Sequence, residues 1–256
     1  MTQLLTTSLK TLIRRIIRSH RISKFVLRYF KTDLLTRLRV YNTLNLKKIG
    51  SDYGGWIVPI DLINNESICY CVGVGEDITF DLGLIEHFNC SVYAFDPTPI
   101  SKLYVQKHTK DVLKFHFFDV GLWDTEAVLK FYAPSNPKYV SHSILNLQKT
   151  QDFFEAPCKR LSTLMKENDH KRLDLLKLDI EGAEYKVIDS IIEAQLDIGI
   201  ICVEYDEAGN PLDEDYLKRI KQSVLKLVNF GYTLVAVESA CNYTLVKKVL
   251  LRVAHN

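Results

Sequence analysis

Two β-rich runs close the sequence, YTLVAVES (Tyr232 to Ser239) and YTLVKKVLLR (Tyr243 to Arg252), with only Ala240, Cys241 and Asn242 between them. A connection that short joins antiparallel strands, because parallel neighbours need a crossover of about a dozen residues or more. The preceding chain alternates short apolar runs with helical periodicity, which implies parallel strands joined by helices. The expected fold is therefore α/β: a doubly wound, mostly parallel sheet, covered on both faces and ending in an antiparallel hairpin.

The alternation begins at SICYCVGV, Ser67 to Val74, after IGSDYGGWIVP, which reads as a glycine-rich loop or hairpin. A helix fits Ile78 to Phe88, a second strand Cys90 to Asp96, and a helix Pro99 to Thr109. Further strands are expected around Lys114 to Phe118 and Val128 to Ala133. Lys138 to Pro157 is polar and irregular, a candidate lid or substrate loop. A helix near Leu161 to Asn168, the strand LDLLKLD, a helix from Ala183 to Ala194 and the strand LDIGIICVEYD follow. The amphipathic run DEDYLKRIKQSVLKLVNFGY carries Gly231 where a helix C-terminal glycine belongs.

The charge is unevenly placed. Residues 1–50 hold twelve Lys and Arg against the single acid Asp33, leaving 21 basic and 30 acidic residues in the remainder. Leu5, Leu9, Leu12, Ile13, Ile16 and Ile17 recur at helical spacing among Arg14, Arg15, Arg18 and Arg21, so residues 1–48 are expected to form a basic amphipathic helical extension to an α/β domain over 49–256. Such a helix can pack on the domain with its charges solvated, or residues 1–40 can make peripheral contact with an anionic membrane. Nucleic acid is disfavoured, since no aromatic residues are interleaved as base-stacking platforms. No apolar run approaches the roughly eighteen residues of a spanning helix, and no secretory leader is evident. The six cysteines form no CxxC pair and lie mostly in apolar segments, as expected of reduced residues in a cytoplasmic protein.

The turn after the first parallel strand is Gly73-Val74-Gly75-Glu76-Asp77-Ile78. Two glycines allow close approach of a ligand, but Ile78 stands where a GxGxxG motif has its third glycine. That leaves less room for a pyrophosphate and disfavours, without excluding, an NAD-dependent oxidoreductase. Asp96 closes the second strand 21 residues after Gly75, where a carboxylate can accept both hydroxyls of a ribose. In an open α/β sheet ligands bind outside the carboxyl ends of the strands, and LLKLDIEGAEYKVI puts Asp179 at such an end. Glu181 can point into the same crevice, and Glu184 is expected to favour the dipole of the next helix from a solvated position. Glu204 and Asp206 flank Tyr205 at the neighbouring strand end. Glu181, Glu204, Asp206 and the lid residue His142 are candidates for removing a proton from a hydroxyl, and the acids together would also suit Mg²⁺.

The segments YGGW, VGVGEDITFDLGLI, YAFDPTPIS and LLKLDIEGAEYKVI resemble, in order and spacing, those of the FkbM-type methyltransferases over about residues 50–250. The resemblance implies the class I methyltransferase fold and S-adenosylmethionine as methyl donor. It also implies a hydroxyl on a saccharide, glycan or natural product as acceptor. Carried over, Gly73, Val74, Gly75, Glu76 and Asp77 would shape the cofactor pocket, and Asp96 would hold the ribose. Asp119, Val120 and Gly121 would meet adenine, and Asp179 would face the methionine part or the transferred methyl. One departure stands out: Cys71 occupies a position where an acid is common, two residues before the first motif glycine. A non-catalytic module tethered by its basic N-terminus is the remaining reading.

Overall fold

A computed structural model describes residues 31–41, 43–136, 139–238 and 242–253. The basic helix expected over residues 5–17 lies outside them. The strands are β1 (Leu46–Ile49), β2 (Trp56–Pro59), β3 (Ile68–Val72), β4 (Ser91–Phe95), β5 (Phe115–Phe118), β6 (Gly121–Leu122), β7 (Ala127–Tyr132), β8 (Phe153–Lys159), β9 (Leu173–Leu178), β10 (Ile198–Glu204), β11 (Tyr232–Glu238) and β12 (Asn242–Lys247). The helices are α1 (Thr79–Phe88), α2 (Pro99–His108), α3 (Leu161–Glu167), α4 (Glu184–Glu193), α5 (Tyr216–Asn229) and α6 (Lys248–Val253).

Seven strands form the central sheet in the order β11-β12-β10-β9-β3-β4-β5. Pairings from β5 through β10 are parallel, while β12 runs antiparallel to both β10 and β11. This is the α/β class expected from the sequence, with the terminal hairpin at one edge of the sheet and β12 between β11 and β10. The chain winds outward from β3 to β4 on one side and from β9 to β10 on the other, so a crevice opens between the carboxyl ends of β3 and β9.

Alternation along the buried strands serves two cores. Tyr70, Val72, Leu176, Leu178, Ile201 and Val203 face one layer, where Leu161 and Leu164 of α3, Val187, Ile188 and Ile191 of α4, and Ile220, Val224 and Leu227 of α5 cover them. Cys69, Cys71, Leu175, Ile200 and Cys202 face the other, under Phe80 and Leu84 of α1 and Trp56 and Val58 of β2. Each fully buried Leu, Ile or Phe contributes roughly 1.5–3 kcal/mol. Gly231, at φ +113°, ends the chain's path out of α5 in the left-handed region that glycine tolerates best.

Three features depart from the sequence reading. Residues 31–41 and 43–45 are laid on the domain: Leu35 and Val40 join the core, and the Tyr41 amide donates to Leu234 O at 2.8 Å. A division at 48/49 therefore falls within β1, which pairs with β2 as a hairpin. The loop expected to run to Pro157 instead becomes strand at Phe153, and β8 forms a small sheet with β6 and β7. The last strand stops at Lys247, and α6 replaces the expected continuation to Arg252. Leu250 and Leu251 are consecutive and both pack inward, which a helix allows and a strand does not. No helix among the described residues is long and apolar enough to cross a membrane.

Candidate active site

A cleft of about 1510 Å³ opens over the carboxyl ends of β3, β4, β9 and β10, roofed by the β1–β2 loop and by residues 139–148. Its floor is the glycine turn after β3. Gly73 has φ +84°, and a side chain there would put its Cβ 1.7 Å from the Asp179 carbonyl oxygen. The Asp179 amide in turn donates to Val72 O at 3.1 Å, so the ends of β3 and β9 are in backbone contact.

Asp96 is buried, and its carboxylate is fully engaged by the protein. Oδ2 accepts the amides of Val74 and Gly75 at 2.9 and 3.0 Å, and Oδ1 accepts the Thr98 amide and hydroxyl at 2.8 and 2.5 Å. Four accepted bonds use the capacity of a carboxylate. Asp96 lines the cleft and, through these bonds, holds the glycine turn in shape.

Asp77 is committed in the same way. Its oxygens accept the Ser51 hydroxyl at 2.6 Å and the Thr79 amide and hydroxyl at 2.9 and 2.6 Å, fastening the β1–β2 loop to the start of α1. Partial burial opposes ionisation, but these bonds outweigh it and hold the carboxyl below its usual value. Glu76 is exposed at the cleft edge, and Val74 is buried in its floor.

Asp119 and Val120 are not on the wall. The chain leaves β5 and turns at once into β6, which sends Asp119 outward to a solvent-exposed pair with Lys102 at 2.5 Å and buries Val120 in the core. Gly121 and Leu122 line the cleft in their place.

The four acids at the ends of β9 and β10 do come together. Asp179, Glu181, Glu204 and Asp206 all line the cleft, and one oxygen each of Asp179, Glu181 and Asp206 lie within 4.8 Å of one another. For Glu181, Glu204 and Asp206 burial is the main cause of an upward shift, and repulsion from neighbouring acids adds to it. Burial, with the Asp179 charge behind it, raises Glu181 to about 7 even though a Ser141 hydrogen bond favours the charged form. Burial and the charge of Asp179 raise Glu204 to about 8, and Asp206 is pushed well above the carboxylate range by burial and by Glu181. Glu181 also sits at φ +52°, a strained setting for a non-glycine residue, and its carbonyl accepts the Ser143 hydroxyl at 2.6 Å. The lid is thereby fixed to the DIEG turn, and Leu145 and Leu147 pack over Gly182.

Glu184 opens α4, but it is buried and not in the solvated position expected. It is fully buried, and Oε1 accepts the amides of Ile180 and Gly182 at 3.2 and 3.0 Å, closing the turn before the helix. His142 lines the cleft from the lid, with Nδ1 2.9 Å from Val140 O and its ring edge-on to Phe154. Sequence reasoning passed over Lys177, a buried lysine whose Nζ lies 3.1 Å from Asp179 Oδ2. Its signal was a single charge inside the apolar run LLKLD.

The donor set fits a cationic ligand with a small polar end: acids dominate the inner wall, and the glycine turn leaves space beside Gly75, whose nearest neighbour for an added Cβ is Val140 at 3.6 Å. The human protein named "Probable methyltransferase-like protein 24" is 24% identical over 179 residues, covering 65% of this chain and 41% of that protein, so the chain spans less than half the length of this relative. Among solved structures, a fibrillarin pre-rRNA processing protein from Methanococcus jannaschii aligns with TM-score 0.45 and 10% identity, covering 80% of this chain and 71% of that one. An rRNA methylase from Streptococcus thermophilus aligns with TM-score 0.39 and 13% identity, covering 73% and 90%. Fibrillarin from Aeropyrum pernix, solved with natively bound S-adenosyl-L-methionine, aligns with TM-score 0.42 and 9% identity, covering 82% and 85%. The model of the methyltransferase FkbM domain matches residues 50–234, from the β1–β2 loop into β11, and the chain belongs to that family of methyltransferases.

Proposed function

We propose that the protein is an S-adenosylmethionine-dependent O-methyltransferase acting on a hydroxyl of a saccharide, glycan or natural-product acceptor. The observation that carries this reading is the placing of Glu181 beside Asp179 in the cleft, with its carboxyl raised to about 7 by burial. A base with that affinity for protons is substantially ionised at neutral pH and still strong enough to take up a hydroxyl proton as the oxygen becomes a nucleophile.

When bound, S-adenosylmethionine supplies an electrophilic methyl group on a sulfonium. Asp179, at the end of β9, and the Gly73–Gly75 turn packed against it face the positively charged methionine end. Glu181 accepts the acceptor's proton, with Glu204 and His142 as the neighbouring groups able to relay it. The lid residues Ser141 and Ser143 hold Glu181 in position and exclude water over it. The close approach of Asp179, Glu181 and Asp206 also has the spacing of an oxygen-ligand set for a divalent ion such as Mg²⁺, which would lower the acceptor's pKa. Cytoplasmic placement, with residues 1–40 touching an anionic membrane surface, completes the reading.

The test is methyl transfer from labelled S-adenosylmethionine to a panel of free sugars, glycans and hydroxylated small molecules, with and without a chelator. Transfer that is lost in Glu181→Gln while S-adenosylhomocysteine still binds supports the reading. Transfer to nitrogen acceptors only, or turnover unaffected by Glu181→Gln, refutes it. Loss of transfer on chelation assigns the trio to a metal, and indifference to chelation leaves proton transfer to Glu181 alone.

A further inference from the structure

We infer that Lys177 is a positioning residue that sets the glycine turn and Asp179 for the methionine end of the cofactor, an inference that rests on the cofactor reading above. Lys177 belongs to β9, the strand between β3 and β10, and its backbone lies opposite Cys71 on one side and Cys202 on the other. The residue is 4% exposed, in a layer of apolar residues and cysteines where the acid Asp81 of α1 is also buried. From there Nζ donates to the Gly73 carbonyl at 2.6 Å and pairs with Asp179 Oδ2 at 3.1 Å. One ammonium thus joins the two strand ends that form the crevice.

Burying an ammonium is expensive, and a hydrophobic residue of similar volume commonly serves stability as well or better. The lysine's contribution is therefore to be sought in what its two bonds fix. Burial alone favours loss of its proton, but the charges of Asp179 and of Asp81, itself 2% exposed on α1, outweigh that and keep it charged. The surroundings explain why Asp179 needs such a partner. Glu181, Glu204 and Asp206 share its cleft, and the other lysine on the wall, Lys48, lies at the rim in a pair with Glu238 at 3.1 Å. Lys177 gives Asp179 a fixed rotamer and an opposite charge from below, leaving its other oxygen free to face the cleft. It also pulls the Gly73 carbonyl down, which turns the following backbone toward the ligand.

The test compares wild type with Lys177→Met, and with Asp81→Leu/Lys177→Met so that no unpaired acid is left in the layer. Each is titrated calorimetrically with S-adenosylhomocysteine and with 5′-methylthioadenosine, which keeps the adenosine end and lacks the amino acid. The expected result is a loss of tenfold or more in affinity for S-adenosylhomocysteine, with 5′-methylthioadenosine changed less than about threefold. A purely structural role would weaken both ligands together, and that outcome overturns the inference, as does unchanged affinity for S-adenosylhomocysteine. If the single variant fails to fold, the double variant is judged by the same criteria, and failure of both to fold assigns Lys177 to the fold and refutes the positioning role. Wild type that binds neither ligand sinks the cofactor reading itself, whereas wild-type binding with an indifferent variant sinks this inference alone.

Discussion

Replacing Glu184 by glutamine should make the protein less sensitive to alkali. Glu184 is fully buried, with Oε1 accepting two turn amides and Oε2 lacking a partner among the described residues. Burial raises its carboxyl from 4.5 to about 8. The folded chain therefore keeps this proton across a window in which the unfolded chain has released it. Fewer protons on the unfolded state mean that stability falls as pH rises, from near the unfolded value up to the folded one, and is flat outside it. The slope is about 1.4 kcal/mol per pH unit, or on the order of 5 kcal/mol over the window, a large part of a domain's typical 5–15 kcal/mol. Glutamine keeps an oxygen for the Ile180 and Gly182 amides and cannot ionise. Urea unfolding of both proteins from about pH 5 to pH 8.5 should show curves that start close together and diverge, with Glu184→Gln the more stable at the alkaline end. Parallel curves would mean that Glu184 carries the same charge folded and unfolded, and would refute the reasoning.

Asp96→Asn replaces two amide-accepting oxygens with one and should cost about 1–3 kcal/mol in urea unfolding, along with most of the affinity for S-adenosylhomocysteine; unchanged stability would contradict the turn-holding role. Gly73→Ala should not yield folded protein, since its Cβ would lie 1.7 Å from the Asp179 carbonyl at φ +84°, and a normal circular dichroism melt would contradict the geometry. Asp119→Ala should leave stability within about 0.5 kcal/mol and cofactor affinity nearly unchanged, because its pair with Lys102 is exposed; a large loss of binding would restore Asp119 to the site. Glu181→Gln should lower kcat by about a hundredfold or more, with little change in S-adenosylhomocysteine affinity.

Much of this architecture was legible in the sequence because its signals are local. Apolar runs such as LLKL and IGIICV are buried on both faces, and a three-residue link can only make a hairpin. What was missed depends on tertiary position. β8 alternates exposed and buried residues on a small sheet and contains Pro157, so it read as loop. The clustering of Asp179, Glu181, Glu204 and Asp206 followed from their shared position at strand ends. The roles of Asp96 and Glu184 did not, because both are set by backbone amides in turns whose shape only the folded chain defines. Asp119 was misplaced because the turn from β5 into β6 redirects the chain within three residues of Phe118. Lys177 was hidden by its own strand, since nothing in LLKLD reports that the ammonium reaches Gly73 and Asp179.

Calorimetric titration of the purified protein with S-adenosylhomocysteine and, separately, NADH tests the central claim most directly. The account predicts one molecule of S-adenosylhomocysteine bound per chain, weakened by Asp179→Ala, and no heat from NADH. Binding of NADH in preference to S-adenosylhomocysteine, or binding of S-adenosylhomocysteine that is indifferent to Asp179, would contradict it.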